Sequence, residues 1–332
     1  MGLVAAVLVL GVIFVNGWTD APNAIATCIS TRAMPPGRAM GMAAVFNFLG
    51  ACVMTRLSPA VVTTVGTLAD FGGNTGRSLI ALSAAMGAVV LWAVVAWRFG
   101  IPTSESHALV TGISGAAVAL GGQLNPQAWQ KVVVGLALSV FLGFGLGFLL
   151  TRFLARLAAG HDRLRCARWF EGGEVLGGAA MAFLHGAQDG QKFMAVLLLV
   201  AAFGRGESVS AFVVPLPLVL LCSAVMALGT SVGGGRIIRS VGVDMVRLRP
   251  HQGLGADVAA GVCLLFSTLT GLPVSTTQTK ATAVMGAGAS MGLRRVNWRI
   301  AKELVLTWVY TLPGCGALGY LFARILLLFA EV

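Results

Sequence analysis

Two short stretches place ionisable side chains where the surrounding sequence is apolar. "NGWTDAPNAIAT" brings Asp20 and Asn23 directly after Leu3 to Val15, a run with only apolar residues and glycine, and "HGAQDGQKFMAV" brings Gln188, Asp189 and Lys192 ahead of another such run. Carboxylate and amide oxygens together form a hard-cation site, suited to Na⁺ or to a proton on the carboxylate. Asp20, Asn23, Gln188 and Asp189 are the candidates for a coupling cation, and Asp20, Asn23 and Asp189 for the metal if that cation is Na⁺.

A second pair of stretches offers the opposite chemistry. "GIPTSESHALVTGISGA" (Gly100 to Ala116) and "GLPVSTTQTKATAVMGA" (Gly271 to Ala287) each hold a proline followed by hydroxyls. Pro102 and Pro273 open helices without losing a needed N–H, and Ser104, Ser106, Ser275, Thr276 and Thr277 then stand beside free backbone donors. A helix N-terminus attracts anions, and two facing each other enclose a tetrahedral oxyanion. One such turn alone reads as well as a capping device. Its recurrence in both halves favours binding.

Positioning these groups requires membrane helices. Of 332 residues, 57% are hydrophobic and 11% charged, the mean hydropathy is +0.87, and the apolar blocks have the roughly 20-residue length that spans a bilayer. A soluble α/β protein would carry about 25% charge. The chain is therefore expected to be an all-α integral membrane protein. The 44 glycines suit close helix packing in lipid. The first run lacks the basic start and the cleavage site of a signal peptide, so it reads as a retained helix. The six scattered cysteines have no ligand spacing and read as packing residues.

The chain also matches itself. Gly17 and Asp20 align with Gly186 and Asp189, Trp129 aligns with Trp298, and the two proline turns align with each other, all at nearly one offset. Each half then has a helix broken by a polar motif, a second helix, two segments joined by the proline turn, and a long final helix. The expected spans are 3–29, 39–57, 78–97, 104–120 and 129–157, then 174–202, 209–230, 253–270, 276–291 and 300–329. Residues 1–159 and 174–332 form two transmembrane repeats around a basic cytoplasmic linker, 160–173. The proline-turn segments are either paired re-entrant helical hairpins or full crossings, and in both cases each half crosses an odd number of times, so the repeats have inverted topology. With both termini outside, 15 of the 23 basic residues face the cytoplasm, including clusters at 152–168, 236–249 and 294–302. Inverted repeats with broken helices point to a secondary transporter with its site at the midplane.

The net charge of +11 sits in short loops without a soluble aromatic-bearing surface, which argues against nucleic acid and for anionic lipid headgroups. A channel needs a continuous pore. An enzyme needs an activated Ser/His pair, HExxH or CxxC, and none is present.

At this level of detail the chain resembles the inorganic phosphate transporter (PiT) family, particularly its bacterial low-affinity permeases. "NGWTDAPNAIAT", "PTSESHALVTG", "HGAQDGQKFMAV" and "PVSTTQTKATAVMGAGAS" look like that family's duplicated signatures over nearly the whole chain. The resemblance implies symport of inorganic phosphate, in some members as a metal-phosphate complex, with H⁺ or Na⁺ as coupling ion and no other cofactor, across the cell membrane. It implies that Asp20, Asn23 and Asp189 help bind the cation and that Ser104, Ser106, Ser275, Thr276 and Thr277 hold phosphate. Sulfate is the alternative substrate. A homodimer is compatible with it.

Three positions, Gln188, Gln278 and Glu105, depart from the family pattern, whereas Lys192, which the bacterial permease pattern shares, departs only from the other half of this chain. Gln188 stands where asparagine is common, and Gln278, which cannot titrate, is the repeat partner of His107. Glu105 replaces a hydroxyl residue beside the anion; it is a proton carrier, or it pairs with Lys192 or a carried metal, or it only complements a helix N-terminus. Lys192 occupies the place of Asn23, where its ammonium either fills a cation site or faces the anion, and this favours H⁺ as the coupling ion. His185 either supports Asp189 or is a satisfied buried histidine.

Overall fold

A computed structural model describes residues 1–99, 101, 103–209 and 211–330, the side chains of 163–165, 236, 237 and 330 excepted. Pro102 and Gly100 of the first proline turn, and the side chains of Arg163, Arg165 and Arg236 used to orient the chain, lie outside the described residues. The described residues form helices, with two isolated β-bridges and no strand among them.

The apolar blocks become α1 (Gly2–Thr19), α2 (Pro22–Ser30), α3 (Pro36–Leu57), α4 (Ala60–Gly66), α5 (Thr75–Arg98), α6 (Glu105–Ala119) and α7 (Pro126–Ala158). The second half contributes α8 (Arg163–Gly204), α9 (Leu216–Val232), α10 (Gly235–Arg239), α11 (Pro250–Thr270), α12 (Thr276–Ala289) and α13 (Trp298–Ala330). Among the described residues, six segments are long and apolar enough to cross a membrane: Gly2–Ser30, Pro36–Leu57, Thr75–Arg98, Pro126–Ala158, Pro250–Thr270 and Trp298–Phe329. In contrast, α6 and α12 have 15 and 14 residues, about 22 Å of helix, which is short of the ~30 Å hydrocarbon core.

The distribution of polarity is that of a protein in lipid. Leu3, Phe141 and Phe329 are 79%, 75% and 78% exposed, whereas Asp20, Glu105, Asp189, Lys192, Asp257 and Lys280 are each 3% exposed or less. Large apolar side chains face outward and charges face inward.

Packing joins helices of the two halves. α1 lies on α9 and α3 on α8, while α6 lies on α13 and α12 on α7. Gly17 and Gly186 permit two of these close approaches: a Cβ on Gly17 would meet the backbone of Met226, and one on Gly186 the backbone of Asn47. The bridges repeat the pattern, with Ala69 joined to Leu124 across α5 and α6, and Val246 to Val296 across α11 and α12.

The structure corrects the expectation of a broken first helix in each half. The break is present in the first half between α1 and α2, whereas α8 runs without interruption through Asp189. Pro22 is the physical reason: it has no N–H to continue the ladder, and its counterpart at the same offset is Gln191, which has one. Residues 163–173, expected in the polar linker, are the first turns of α8, and α4 is a helix the apolar pattern did not separate from its neighbours.

Candidate substrate and cation site

The two short helices meet end to end. Ser104 caps α6 by accepting from the His107 N–H at 3.2 Å, and Ser275 caps α12 by accepting from the Gln278 N–H at 3.1 Å. The Ser104 hydroxyl in turn donates to the Ser275 oxygen at 2.8 Å. Two N-termini, each with roughly half a positive charge, are thereby aimed at one region.

Carboxylates fill that region. The helix break makes this possible for Asp20: the Asn16 carbonyl accepts from the N–H groups of both Asp20 and Ala21, at 2.9 and 3.2 Å, so the chain turns and leaves the Asp20 side chain at the start of α2. Asp20 Oδ1 accepts from Asn23 Nδ2 at 2.8 Å and closely from the Thr277 hydroxyl. Thr276 Oγ1 lies 3.1 Å from Asp20 Oδ2 and 3.0 Å from Asp189 Oδ2. Asn16 Nδ2 also donates to Asp189 Oδ2, at 3.1 Å. One threonine hydroxyl thus bridges the two repeat-related aspartates.

On the other side of Asp189, Lys192 Nζ donates to Asp189 Oδ1 at 2.5 Å, to Ser106 Oγ at 2.6 Å and to the Val274 carbonyl at 2.6 Å. His185 Nε2 is 3.3 Å from Asp189 Oδ2, and its Nδ1 is 2.9 Å from Asn47 Oδ1. Asp20, His185 and Asp189 each offer a ligand atom within 4.8 Å of the others. Asn16 Oδ1 and Asn23 Oδ1 are buried without a hydrogen-bond partner. Orphaned acceptors beside two carboxylates fit a cation.

This arrangement lies inside a family-wide similarity. Residues 16–319 match the phosphate transporter family, and every site residue named above falls in that span. The chain belongs to the phosphate transporter family. It is 36% identical over 325 residues to a "Probable low-affinity inorganic phosphate transporter" of Rhizobium meliloti (strain 1021), covering 97% of this chain and 94% of that one. A protein of the same name from Bacillus subtilis (strain 168) is 34% identical over 308 residues, covering 92% and 91%. Among solved structures, "The sodium-dependent phosphate transporter" superposes with a TM-score of 0.88 over 98% of this chain and 99% of that one, at 20% identity, which establishes a shared fold. The chain is accordingly a multi-pass membrane transporter and not an enzyme.

Within this family member, Asp20, Asn23, Asp189, Lys192, Ser104, Ser106, Ser275, Thr276 and Thr277 are brought together. Glu105 joins them from the first position of α6: its Oε1 takes a close contact from the Thr19 hydroxyl, its Oε2 is buried without a partner, and a narrow cleft lined by Thr19, Asp20, Trp97 and Thr103 reaches it. Glu105 does not pair with Lys192, whose three hydrogen bonds go elsewhere. Gln188 is not brought to the cluster. Its amide donates to the Leu272 carbonyl at 2.7 Å and accepts from Thr268 at 3.1 Å, because successive residues of an unbroken helix point about 100° apart. His107 and Gln278 turn toward an apolar cavity lined also by Leu136, Phe144 and Trp308.

Asn16 and Thr19 were not singled out by the sequence, although Asn16 precedes Asp20 by the same four residues that separate His185 from Asp189. A second buried polar cluster was missed as well. Asp257 on α11, Lys280 on α12, Thr27 on α2, Thr31 just after it, and Glu174 on α8 converge there. Its signal was available: ionisable residues inside apolar spans are costly and seldom idle.

Proposed function

We propose that the chain carries inorganic phosphate across the cell membrane together with a cation, H⁺ in the first instance, by alternating access around the meeting point of α6 and α12. Ser104, Ser106, Ser275, Thr276 and Thr277 hold the anion, as phosphate or as a metal-phosphate complex, with the Lys192 charge beside it. Asp20, Asn23 and Asp189 receive the cation. Halves 1–159 and 174–332 act as inverted repeats, each supplying one aspartate and one serine-capped short helix, and the hairpins built on α5–α6 and α11–α12 exchange exposure around the site.

The observation that supports coupling is the Thr276 hydroxyl. It has one hydrogen and lies within hydrogen-bond distance of two carboxylate oxygens. Both contacts are satisfied when one of the aspartates carries a proton. Thr19 raises the same accounting: its hydroxyl is 2.8 Å from the Val15 carbonyl and in close contact with Glu105. If it donates to Val15, the hydrogen toward Glu105 comes from the carboxyl group itself.

Charge balance points the same way. Asp20, Glu105 and Asp189 face one ammonium, Lys192, so with all of them ionised the site is two charges negative before phosphate arrives. Uncompensated buried charges cost several kcal/mol each. Positive charge therefore enters with phosphate, and once the aspartates are neutralised the hydroxyls of Thr276 and Thr277 are released from them to the anion.

Sulfate recognition uses the same hydroxyls but brings no proton on the substrate, and Na⁺ fits the same orphaned oxygens. Labelled phosphate uptake into proteoliposomes, under an imposed pH gradient and then an imposed Na⁺ gradient, with sulfate as competitor, separates these readings. Concentrative uptake driven by the pH gradient and indifferent to sulfate is expected. Uptake driven by Na⁺ alone refutes proton coupling, and block by sulfate without phosphate uptake refutes the substrate.

A further inference from the structure

Two fully buried lysines have matching surroundings. Lys192 Nζ is held by one carboxylate oxygen (Asp189 Oδ1), one hydroxyl (Ser106 Oγ) and one backbone carbonyl (Val274 O). Lys280 Nζ is held by one carboxylate oxygen (Asp257 Oδ1, in close contact), one hydroxyl (Thr27 Oγ1, 3.1 Å) and one backbone carbonyl (Ala24 O, 3.3 Å). Both are 0% exposed. An ammonium has three donors and no acceptor, so each cage supplies one oxygen per N–H and saturates it.

Carboxylate, hydroxyl and carbonyl oxygens are also the ligands that hard, hydrated metal cations take. Each cage gathers them from more than one part of the chain. For Lys192 these are α8, α6 and the segment before α12; for Lys280 they are α11 and α2 around its own α12. A buried ion pair needs all three donors of the ammonium met. Placing a hydroxyl and a peptide oxygen on the remaining two donors builds a complete coordination set around a single positive charge. The repeat adds a further indication, because the residue matching Lys192 at the same offset is Asn23, a neutral oxygen ligand with its Oδ1 unpartnered.

We infer that Lys192 and Lys280 are tethered cations: their ammonium groups occupy two oxygen cages that would otherwise take Na⁺, so this chain carries those two positive charges permanently. The exchangeable cation is left to the Asp20 side of the site, where no ammonium is bound. This rests on the proposed coupling of phosphate to a cation and specifies which positions of the site are closed to metal.

The test is equilibrium binding of labelled Na⁺ to the purified full chain, at constant ionic strength with choline as the replacement ion. Wild type, Lys192→Asn, Lys280→Asn and the double variant Lys280→Asn/Asp257→Asn are compared, with melting curves as a check on folding. Each single variant is expected to bind one more Na⁺ per chain than wild type and to melt higher in Na⁺ than in choline. The double variant, lacking the carboxylate, is expected to bind no more than wild type. Saturable binding of two or more Na⁺ by wild type overturns the inference, and so do single variants that gain none. If one variant does not fold, the other variant and the wild-type count decide. Phosphate uptake measured in parallel keeps the two questions apart. Wild type without uptake but with the expected Na⁺ counts refutes the phosphate reading alone, and uptake with unchanged Na⁺ counts refutes the tethered cations alone.

Discussion

The Thr276→Val substitution tests the site most directly, because it removes one hydroxyl and nearly preserves shape. Thr276 is 1% exposed and its oxygen lies 3.1 and 3.0 Å from Asp20 and Asp189. A hydrogen bond to a charged group contributes about 1.5–3 kcal/mol. If this hydroxyl passes from the aspartates to phosphate during binding, its loss weakens phosphate binding by about 10- to 100-fold at about 1.4 kcal/mol per decade. Initial uptake rates over a phosphate series, at several external pH values, read the change as a raised KM together with an altered pH dependence. Thr279→Val is the matched control on the same helix: Thr279 is 0% exposed, but its hydroxyl donates to the Ser275 carbonyl one turn back at 2.8 Å and reaches neither aspartate. A Thr276→Val protein with unchanged KM and unchanged pH profile, or a Thr279→Val protein with an equal defect, refutes the reasoning.

Glu105→Ser removes a carboxylate from beside the anion and restores the hydroxyl type of Thr276, so a few-fold lower KM for phosphate and a flatter pH profile of uptake are expected; no change in either refutes a coupling role for Glu105. Gly186→Ala puts a Cβ 2.7 Å from Asn47 Cα, and overpacking of this kind costs about 1–3 kcal/mol, so the melting temperature should fall by several degrees. Gly145→Ala, where nothing lies within 4 Å, should leave it unchanged.

Much of this was legible in the sequence because a membrane imposes simple requirements. The blocks 39–57 and 78–97 fall within α3 and α5, and 104–120 lies within one residue of α6 at each end, since backbone in lipid must close its own hydrogen bonds and long apolar runs become helices. The starts of the two short helices were legible to within a few residues: Pro273 was expected to open the second, but α12 begins at Thr276 with Ser275 as its cap. What escaped the sequence depended on a single residue or on the third dimension. Whether a helix breaks at an aspartate was decided by Pro22 against Gln191. The direction of Gln188 followed from that same decision. The cages around Lys192 and Lys280 draw on residues 82 to 256 positions away, such as Val274 and Ala24, and spacing along the chain gives no sign of them.

The difference between the two halves then acquires a mechanical sense. In the second half the helix is continuous, and Lys192, one turn beyond Asp189, holds that carboxylate at 2.5 Å. In the first half Pro22 breaks the helix, the equivalent position is Asn23, and Asp20 is met only by neutral donors: an amide and two hydroxyls. Neutral donors orient a carboxylate without cancelling its charge. One aspartate of the duplicated pair is thus neutralised by the chain itself, while the other keeps a charge that only an incoming cation can cancel. The Thr276 hydroxyl spans both, so on the proposed coupling a cation at Asp20 would also alter the hydrogen bond at Asp189. A symmetric site with two free aspartates would require two cations for the same release. On the proposed coupling, the fixed lysine would reduce that requirement to one, taken up in the half whose helix is broken.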